Sequence, residues 1–270
     1  MTGPVCTGMD EVDTTLSRVR GRVTSRDGTR IAYERYGDGD GRGPAVVLVS
    51  GALRTAASER PLARLLARDL TVVTYDRRGR GASGDTAPYA VQREIEDLAA
   101  VVEAAGPGVA LHGTDTGGAL ALAAAAAGVP VGAVSLYEPP YAAEAADRRR
   151  GAAGLLARGR RAAALDAFLA DGIVRMEPRP VLEALAHTLA YEDAVMGDGT
   201  VPVVHARVLV VDGGASPAAT RRAARDVTAA LPRARHRTLT GQTHEVAPHV
   251  LAPVLSAFLR ECAAETAEAA

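Results

Sequence analysis

Short runs of consecutive apolar residues recur along the chain and alternate with segments that have helical spacing. The runs occupy Ala45–Val49, Thr71–Tyr75, Val109–Leu111, Val131–Tyr137 and Arg207–Val211. Apolar side chains at successive positions are typical of strands that are buried on both faces, as in parallel sheets covered by helices. The alternation therefore predicts an α/β fold with a mostly parallel sheet, whose ligand site lies beyond the carboxyl ends of the strands.

The same pattern divides the chain into a core and an insertion. Residues 1–20 show no apolar periodicity, so we expect a flexible tail, and the next segment predicts a β-hairpin around an Asp-Gly turn. Over residues 140–204 the strands give way to helical segments rich in Ala, Leu and Arg. We predict a small helical cap there, with packing helices on the sheet as the alternative, and a core formed by residues 21–139 and 205–270.

Composition narrows the class of protein. A chain of 270 residues with 47% hydrophobic and 23% charged residues is typical of a globular protein. Its net charge of −1 gives no sign of nucleic-acid binding, and it has neither a membrane-length apolar run nor a secretory signal pattern. Cys6 lies in the predicted tail and Cys262 in the closing segment Glu261–Ala270, where we expect a fraying helix end, and these positions favour reduced thiols. We therefore expect a cytoplasmic protein with a small-molecule substrate and no metal or cofactor, and its oligomeric state stays open.

The segment around Asp115 carries the strongest chemical signal. A predicted strand, a tight turn and a helix predicted to start near Ala119 meet there, and Gly113 and Gly117 flank Asp115 in a G-x-D-x-G pattern. Glycines at these positions let the backbone bend sharply and let the helix approach the sheet. A carboxylate at the start of a helix is ionised at neutral pH, so Asp115 is the candidate nucleophile.

Four motifs in this order resemble those of the α/β-hydrolase superfamily, from about residue 22 to the C-terminal helix. They are Ser50-Gly51-Ala52, the turn at residues 76–83, the Asp115 elbow and Gly241-Gln242-Thr243-His244. The resemblance implies the α/β-hydrolase fold, a catalytic His244 and an oxyanion hole formed by the backbone N–H groups of Ala52 and Thr116. Aspartate in place of the usual serine is similar to the haloalkane dehalogenase and epoxide hydrolase branch.

The third member of the implied triad has two candidates. The commonest location, after the run Arg207–Val211, holds Ser216 where an aspartate is often found. The haloalkane dehalogenase branch can place its acid after the preceding strand instead, where this chain has Glu138. We therefore prefer Glu138, which preserves the order nucleophile, acid, histidine. Asp212 is the reserve candidate, although a structural role at the strand end suits it equally well.

An aspartate nucleophile restricts the reaction. Attack on an ester carbonyl would give a mixed anhydride, whereas attack on an sp³ carbon gives an alkyl-enzyme ester that water activated by His244 can hydrolyse. The dehalogenases of this branch hold the halide with Trp, or with Trp and Asn, and this chain contains neither residue. We therefore expect an epoxide rather than an alkyl halide. Tyr141 and Tyr191 are candidate proton donors or surface residues, and Arg54 is a candidate contact for a polar substrate.

Two other functions remain open. Asp115 and His244 form an acid–base pair that would also serve a lyase, isomerase or cyclase of natural-product metabolism. The other hypothesis is a binding protein without catalytic activity, or a serine enzyme engineered at position 115. The loop Ser50-Gly51-Ala52-Leu53 departs from the H-G-x-P pattern that is usual in epoxide hydrolases, which weakens the epoxide hypothesis.

Overall fold

A computed structural model of the chain describes residues 17–37, 44–170 and 177–269. The strands are β1 (Arg18–Thr24), β2 (Arg30–Tyr36), β3 (Ala45–Val49), β4 (Thr71–Tyr75), β5 (Ala110–Thr114), β6 (Ala133–Tyr137), β7 (Arg207–Gly213) and β8 (Ala234–Leu239). The α-helices are α1 (Arg60–Leu66), α2 (Val91–Ala105), α3 (Thr116–Ala126), α4 (Ala143–Ala157), α5 (Arg161–Leu169), α6 (Arg179–Leu185), α7 (Leu189–Met196), α8 (Ala218–Ala230) and α9 (Pro248–Ala269). Short 3₁₀ helices cover Ala56–Glu59 and Ala186–Thr188.

The strands form one sheet in the order β1-β2-β4-β3-β5-β6-β7-β8. β1 and β2 are antiparallel to their neighbours, and the pairs from β4 to β8 are parallel. Successive residues of β3 point to opposite faces, so Val46 and Leu48 pack with α1 and α9, whereas Val47 and Val49 pack with α2, α3 and α8. This double burial explains the continuous apolar runs, and the predicted α/β architecture is confirmed.

The order of the strands in the sheet indicates where the ligand site lies. The chain builds β4 on one side of β3 and then returns to build β5 on the other side. Ligands of such sheets bind outside the carboxyl ends of the strands that flank this change of direction. The loop after β3 begins at Ser50, and the turn after β5 holds Asp115. The topology therefore brings the two segments that the sequence singled out to the same point.

Helices α4 to α7 lie between β6 and β7, in the segment that the sequence predicts as a cap. We call this segment, residues 140–204, the insertion. Its apolar side chains form a cluster of their own, which includes Phe168, Leu182 and Leu189. Leu53, from the loop after β3, is 4% exposed and belongs to the same cluster. The insertion is thus packed against the loop that borders the site.

Three predicted boundaries differ from the structure. β1 begins at Arg18, inside the predicted tail, because charged side chains on this exposed strand hide its alternation. Cys262 is buried within α9 among core residues rather than in a fraying end, whereas Cys6 lies outside the described residues. The helix after the elbow begins at Thr116 and not near Ala119, since the two glycines at 117 and 118 are part of its first turn.

Candidate active site

Asp115 stands at a sharp turn between β5 and α3. Its backbone has φ 50° and ψ −129°, in a region that side chains rarely adopt and that costs about 1–3 kcal/mol. A Cβ on Gly113 would lie 2.4 Å from the Cα of Gly118, and one on Gly117 would lie 2.1 Å from the carbonyl oxygen of Val49. Only glycine fits at these two positions, so the G-x-D-x-G pattern allows the close approach that lifts Asp115 toward the cavity.

The loop after β3 contacts the Asp115 side chain. The backbone N–H of Ala52 donates a hydrogen bond of 3.4 Å to Oδ2 of Asp115. A Cβ on Gly51 would lie 2.8 Å from the Cβ of Asp115, so glycine is needed for this approach. Thr116 begins α3, and backbone N–H groups in the first turn of a helix have no partner within the helix. The two predicted oxyanion-hole residues therefore flank one carboxylate.

Buried charges hold this loop in place. Nη1 of Arg77 donates to the carbonyl oxygen of Ser50 at 3.2 Å, and Nη1 of Arg80 donates to that of Gly51 at 2.6 Å. Glu192 of α7 forms ion pairs with both arginines, 3.1 Å from Arg77 and in direct contact with Arg80. All three charged side chains have 0% exposure. The insertion thus contacts the loop after β3 through charge as well as through apolar packing.

Glu138 and His244 form the second half of the site. Oε2 of Glu138 lies 3.0 Å from Nδ1 of His244, while Oε1 accepts hydrogen bonds from the Gly213 N–H at 2.9 Å and from the Ser216 hydroxyl at 2.5 Å. Since an ionised carboxylate only accepts, Nδ1 carries the hydrogen and Nε2 is left to accept a proton. This is the arrangement of a histidine base oriented by an acid.

The reserve candidate, Asp212, lies elsewhere. Its Oδ2 is 3.2 Å from Nε2 of His236, a residue of the edge strand β8, and it makes no described contact with His244. Ser216, which stands where an aspartate is often found, instead donates its hydroxyl hydrogen to Glu138. The structure therefore pairs His244 with the preferred candidate.

Charge and burial set the protonation of this pair. Burial opposes ionisation of Glu138, but hydrogen bonds from His244, Ser216 and Gly213 outweigh it and lower the pKa of the carboxyl. Burial also opposes charging of His244, but the hydrogen bond to Glu138 and the negative charges of Asp115 and Glu138 raise the pKa of the imidazole. Both shifts favour a charged pair, and the Asp115 carboxylate is close enough to contribute.

A cavity of about 770 Å³ opens above these groups. Residues from the sheet edge and from the insertion line it together: Ala52, Arg54, Glu59, Asp115, Thr116, Glu138, Arg148, Arg149, Phe168, Leu182 and His244. Arg54, the predicted substrate contact, forms an ion pair with Glu245 at this wall. The volume is in the range of small-molecule sites, which are usually a few hundred to about 1,000 Å³.

The two predicted proton donors are not among the residues that line this cavity. The Tyr141 side chain packs against the core cluster next to the sheet, and burial raises its pKa to about 12. Tyr191 stacks on Tyr89 with ring centroids 3.8 Å apart and donates its hydroxyl hydrogen to Asp85 at 2.8 Å. Both tyrosines therefore have structural contacts outside the lining of the cavity.

Two cavity residues were not predicted from the sequence. Glu59 is 6% exposed, and burial raises the pKa of its carboxyl, with Arg54 opposing the shift and Glu245 reinforcing it. Arg149 is 4% exposed although it belongs to the run Arg148-Arg149-Arg150. A helical pattern was available, because Arg149 follows Ala145 by four residues and precedes Ala152 by three, and both alanines are buried. For Glu59 we find no comparable signal.

Within residues 17–37, 44–170 and 177–269, no group of three His, Cys, Asp or Glu side chains is arranged to hold a metal ion. No helix in the same ranges has the length and apolar character required to cross a membrane.

Comparison with known proteins gives the following matches. A family model described as "Alpha/beta hydrolase family" matches residues 46–257. The crystal structure of an α/β hydrolase from Sphaerobacter thermophilus is 47% identical, with 88% of this chain and 99% of that chain covered and a TM-score of 0.78. A malate-bound thermophilic esterase from Thermogutta terrifontis is 19% identical, with 90% and 99% covered and a TM-score of 0.72. A hydrolase from Pseudomonas aeruginosa is also 19% identical, with 92% and 99% covered and a TM-score of 0.72. No curated protein sequence matches significantly.

Proposed function

The chain belongs to the α/β hydrolase family, and we propose that it hydrolyses a small organic substrate through an alkyl-enzyme ester formed on Asp115. The hydrogen bond from the Ala52 N–H to Oδ2 of Asp115 carries this proposal. In a serine enzyme the oxyanion hole holds an oxygen of the substrate. The contact with the Ala52 N–H supports the same role for Oδ2 of the aspartate, which would leave Oδ1 to attack an sp³ carbon and would prepare Oδ2 to carry the negative charge when the aspartyl ester is hydrolysed.

The proposed reaction has two steps, and we favour an epoxide as substrate. Oδ1 of Asp115 first bonds to an epoxide carbon as the carbon–oxygen bond breaks, and the released oxygen takes a proton. Water then attacks Cγ of Asp115 while Nε2 of His244 removes a proton from it. The Ala52 N–H stabilises the oxyanion at Oδ2, and collapse expels the diol oxygen, which takes the proton from His244.

Glu59 is suited to supply the first proton. Its carboxyl lines the cavity, and burial raises its pKa, which favours the protonated form. It takes the role that the sequence assigned to Tyr141 or Tyr191. After the second step Asp115 holds one proton, and its transfer to Glu59 through solvent restores the starting state. An alkyl halide would not require this donor, so a buried carboxyl in the cavity lining favours the epoxide.

Isotope labelling tests the proposed ester. A single turnover in heavy-oxygen water should place label in the Asp115 carboxylate, because water attacks the aspartyl carbon. Trapping gives a second test: His244→Gln should accumulate a mass increase on the Asp115 peptide after incubation with small epoxides. His236→Gln is the matched control, because His236 contacts Asp212 at the sheet edge, and it should show no accumulation. Active enzyme with label only in the product would reject the alkyl ester.

The remaining functions predict different results for Asp115→Asn and Asp115→Ser. If Asp115 and His244 act as an acid–base pair of a lyase, isomerase or cyclase, Asp115→Asn should abolish turnover although no adduct forms in His244→Gln. If the chain is a serine enzyme changed at position 115, Asp115→Ser should gain activity toward activated aryl esters. A site without activity should show neither an adduct nor a gain.

A further inference from the structure

Arg149 differs from the other deeply buried arginines of the described chain. Arg77, Arg78 and Arg80 each contact at least one carboxylate within ion-pair distance. Arg149 is 4% exposed, yet within the described residues no carboxylate lies within ion-pair distance of it. Its Nη1 donates to the carbonyl oxygen of Pro140 at 3.0 Å, and its Nε has no hydrogen-bond partner there. A buried guanidinium with unused donors is costly unless something negative binds it.

The position of Arg149 shows where such a group would bind. Arg149 lines the cavity on the α4 side, and Asp115 lines the same cavity from the sheet edge. The negative charge of Asp115 interacts with the Arg149 guanidinium through space. Arg54, the other arginine near Asp115, already forms an ion pair with Glu245. Arg149 is therefore a cation of the cavity wall that has a hydrogen-bond donor to offer to a ligand.

We propose that Arg149 binds a carboxylate of the substrate, so that the substrate is a small epoxide bearing a carboxylate next to the reacting carbon. This inference rests on the proposed function, whose alkylation step it makes more specific. Guanidinium and carboxylate match in geometry and can form two parallel hydrogen bonds. The positive charge of Arg149 would also offset the repulsion between a substrate carboxylate and the anionic nucleophile Asp115.

Binding of unreactive probes tests the site without any turnover. Isothermal titration of the wild-type protein should show that butanoate binds about 10- to 100-fold more tightly than butanamide, as expected for hydrogen bonds between charged groups. Arg149→Gln should abolish this preference, and Arg149→Lys should keep part of it. Arg150→Gln is the matched control, since its exposed side chain pairs with Asp147 three residues earlier in α4, and the preference should be unchanged.

Several outcomes of the titration would overturn the inference. They are equal binding of butanoate and butanamide by the wild-type protein, a preference that persists in Arg149→Gln, and a preference that Arg150→Gln removes. Circular dichroism and thermal melting establish that each variant folds. If Arg149→Gln does not fold, the test uses Arg149→Lys, provided that this variant folds. The inference would then be overturned if Arg149→Lys preferred butanoate over butanamide as strongly as the wild type and bound butanoate with the same enthalpy.

Alkylation separates this inference from the proposed function. In the His244→Gln background, 2,3-epoxybutanoate should form the Asp115 adduct about 10- to 100-fold faster than 2,3-epoxybutanamide at equal low concentration. Butanoate binding that depends on Arg149, without an adduct from either epoxide, would leave the anion site standing and refute the proposed function. An adduct that forms equally fast from both epoxides would support the proposed function and overturn the carboxylate site.

Discussion

Replacing Glu192 by glutamine tests whether the buried charges between the insertion and the loop after β3 are needed for stability. Arg77 and Arg80 carry two positive charges, and Glu94 and Glu192 balance them, with Glu94 2.8 Å from Arg77. Glutamine keeps the shape of the side chain but leaves one buried positive charge without compensation. Removal of one partner of a buried ion pair typically costs about 3–5 kcal/mol, and we expect the free energy of unfolding to fall by this amount.

Urea denaturation measures the effect. With a denaturant dependence of about 3 kcal/mol per M, the loss corresponds to a midpoint lower by about 1 M or more. Glu183→Gln is the control, because its pairs with Arg179 are exposed and such pairs contribute less than about 1 kcal/mol. A midpoint for Glu192→Gln within the range of this control would refute our account of the network. In a folded Glu192→Gln protein, slower adduct formation would further show that the network positions the loop.

Four further outcomes follow from the site. Glu138→Gln should slow hydrolysis of the enzyme ester about 10³- to 10⁴-fold, measured by mass spectrometry of the decaying adduct, because the histidine loses its orienting anion; unchanged decay would contradict this role. Hydrolysis of the ester should increase with pH, since only neutral His244 accepts a proton; the hydrogen bond to Glu138 raises the pKa of His244, so Glu138→Gln should move the pH of half-maximal rate downward. Glu59→Gln should slow alkylation by an epoxide but not by an alkyl bromide, and equal slowing of both would remove its role as acid. Gly117→Ala should prevent folding, since the added Cβ meets a strand carbonyl oxygen at 2.1 Å, whereas Gly151→Ala meets nothing within 4 Å and should raise stability by about 0.5–1 kcal/mol in thermal melts.

Much of the fold was predictable because burial on both faces leaves an unbroken apolar signal. The predicted runs Ala45–Val49 and Thr71–Tyr75 coincide with β3 and β4. The first strand was not predictable in full, since it is exposed and rich in charge, and its pairing with β2 defines it more than its own side chains do. The start of α3 was misplaced because glycine has low helix propensity, although close packing requires it there.

The candidate site was predictable only where a residue belongs to a local motif. Asp115, Glu138 and His244 each follow a strand, so their order along the chain indicates that they meet at one edge of the sheet. Glu59 and Arg149 are buried ionisable residues, whereas a residue of these types in a sequence normally indicates a surface. Such residues need the assembled cavity before their environment can be recognised.

The contact between Ser216 and Glu138 bears on how the acid of such a triad changes position during evolution. The two side chains lie 2.5 Å apart although they follow different strands, so both locations for the acid converge on one point in space. An aspartate at position 216 beside Glu138 would bring two carboxylates together, and one of them would hold a proton. Loss of Glu138 first would leave His244 beside a neutral serine. Each single step is therefore disfavoured, and the acid moves between strands most readily when both positions change together.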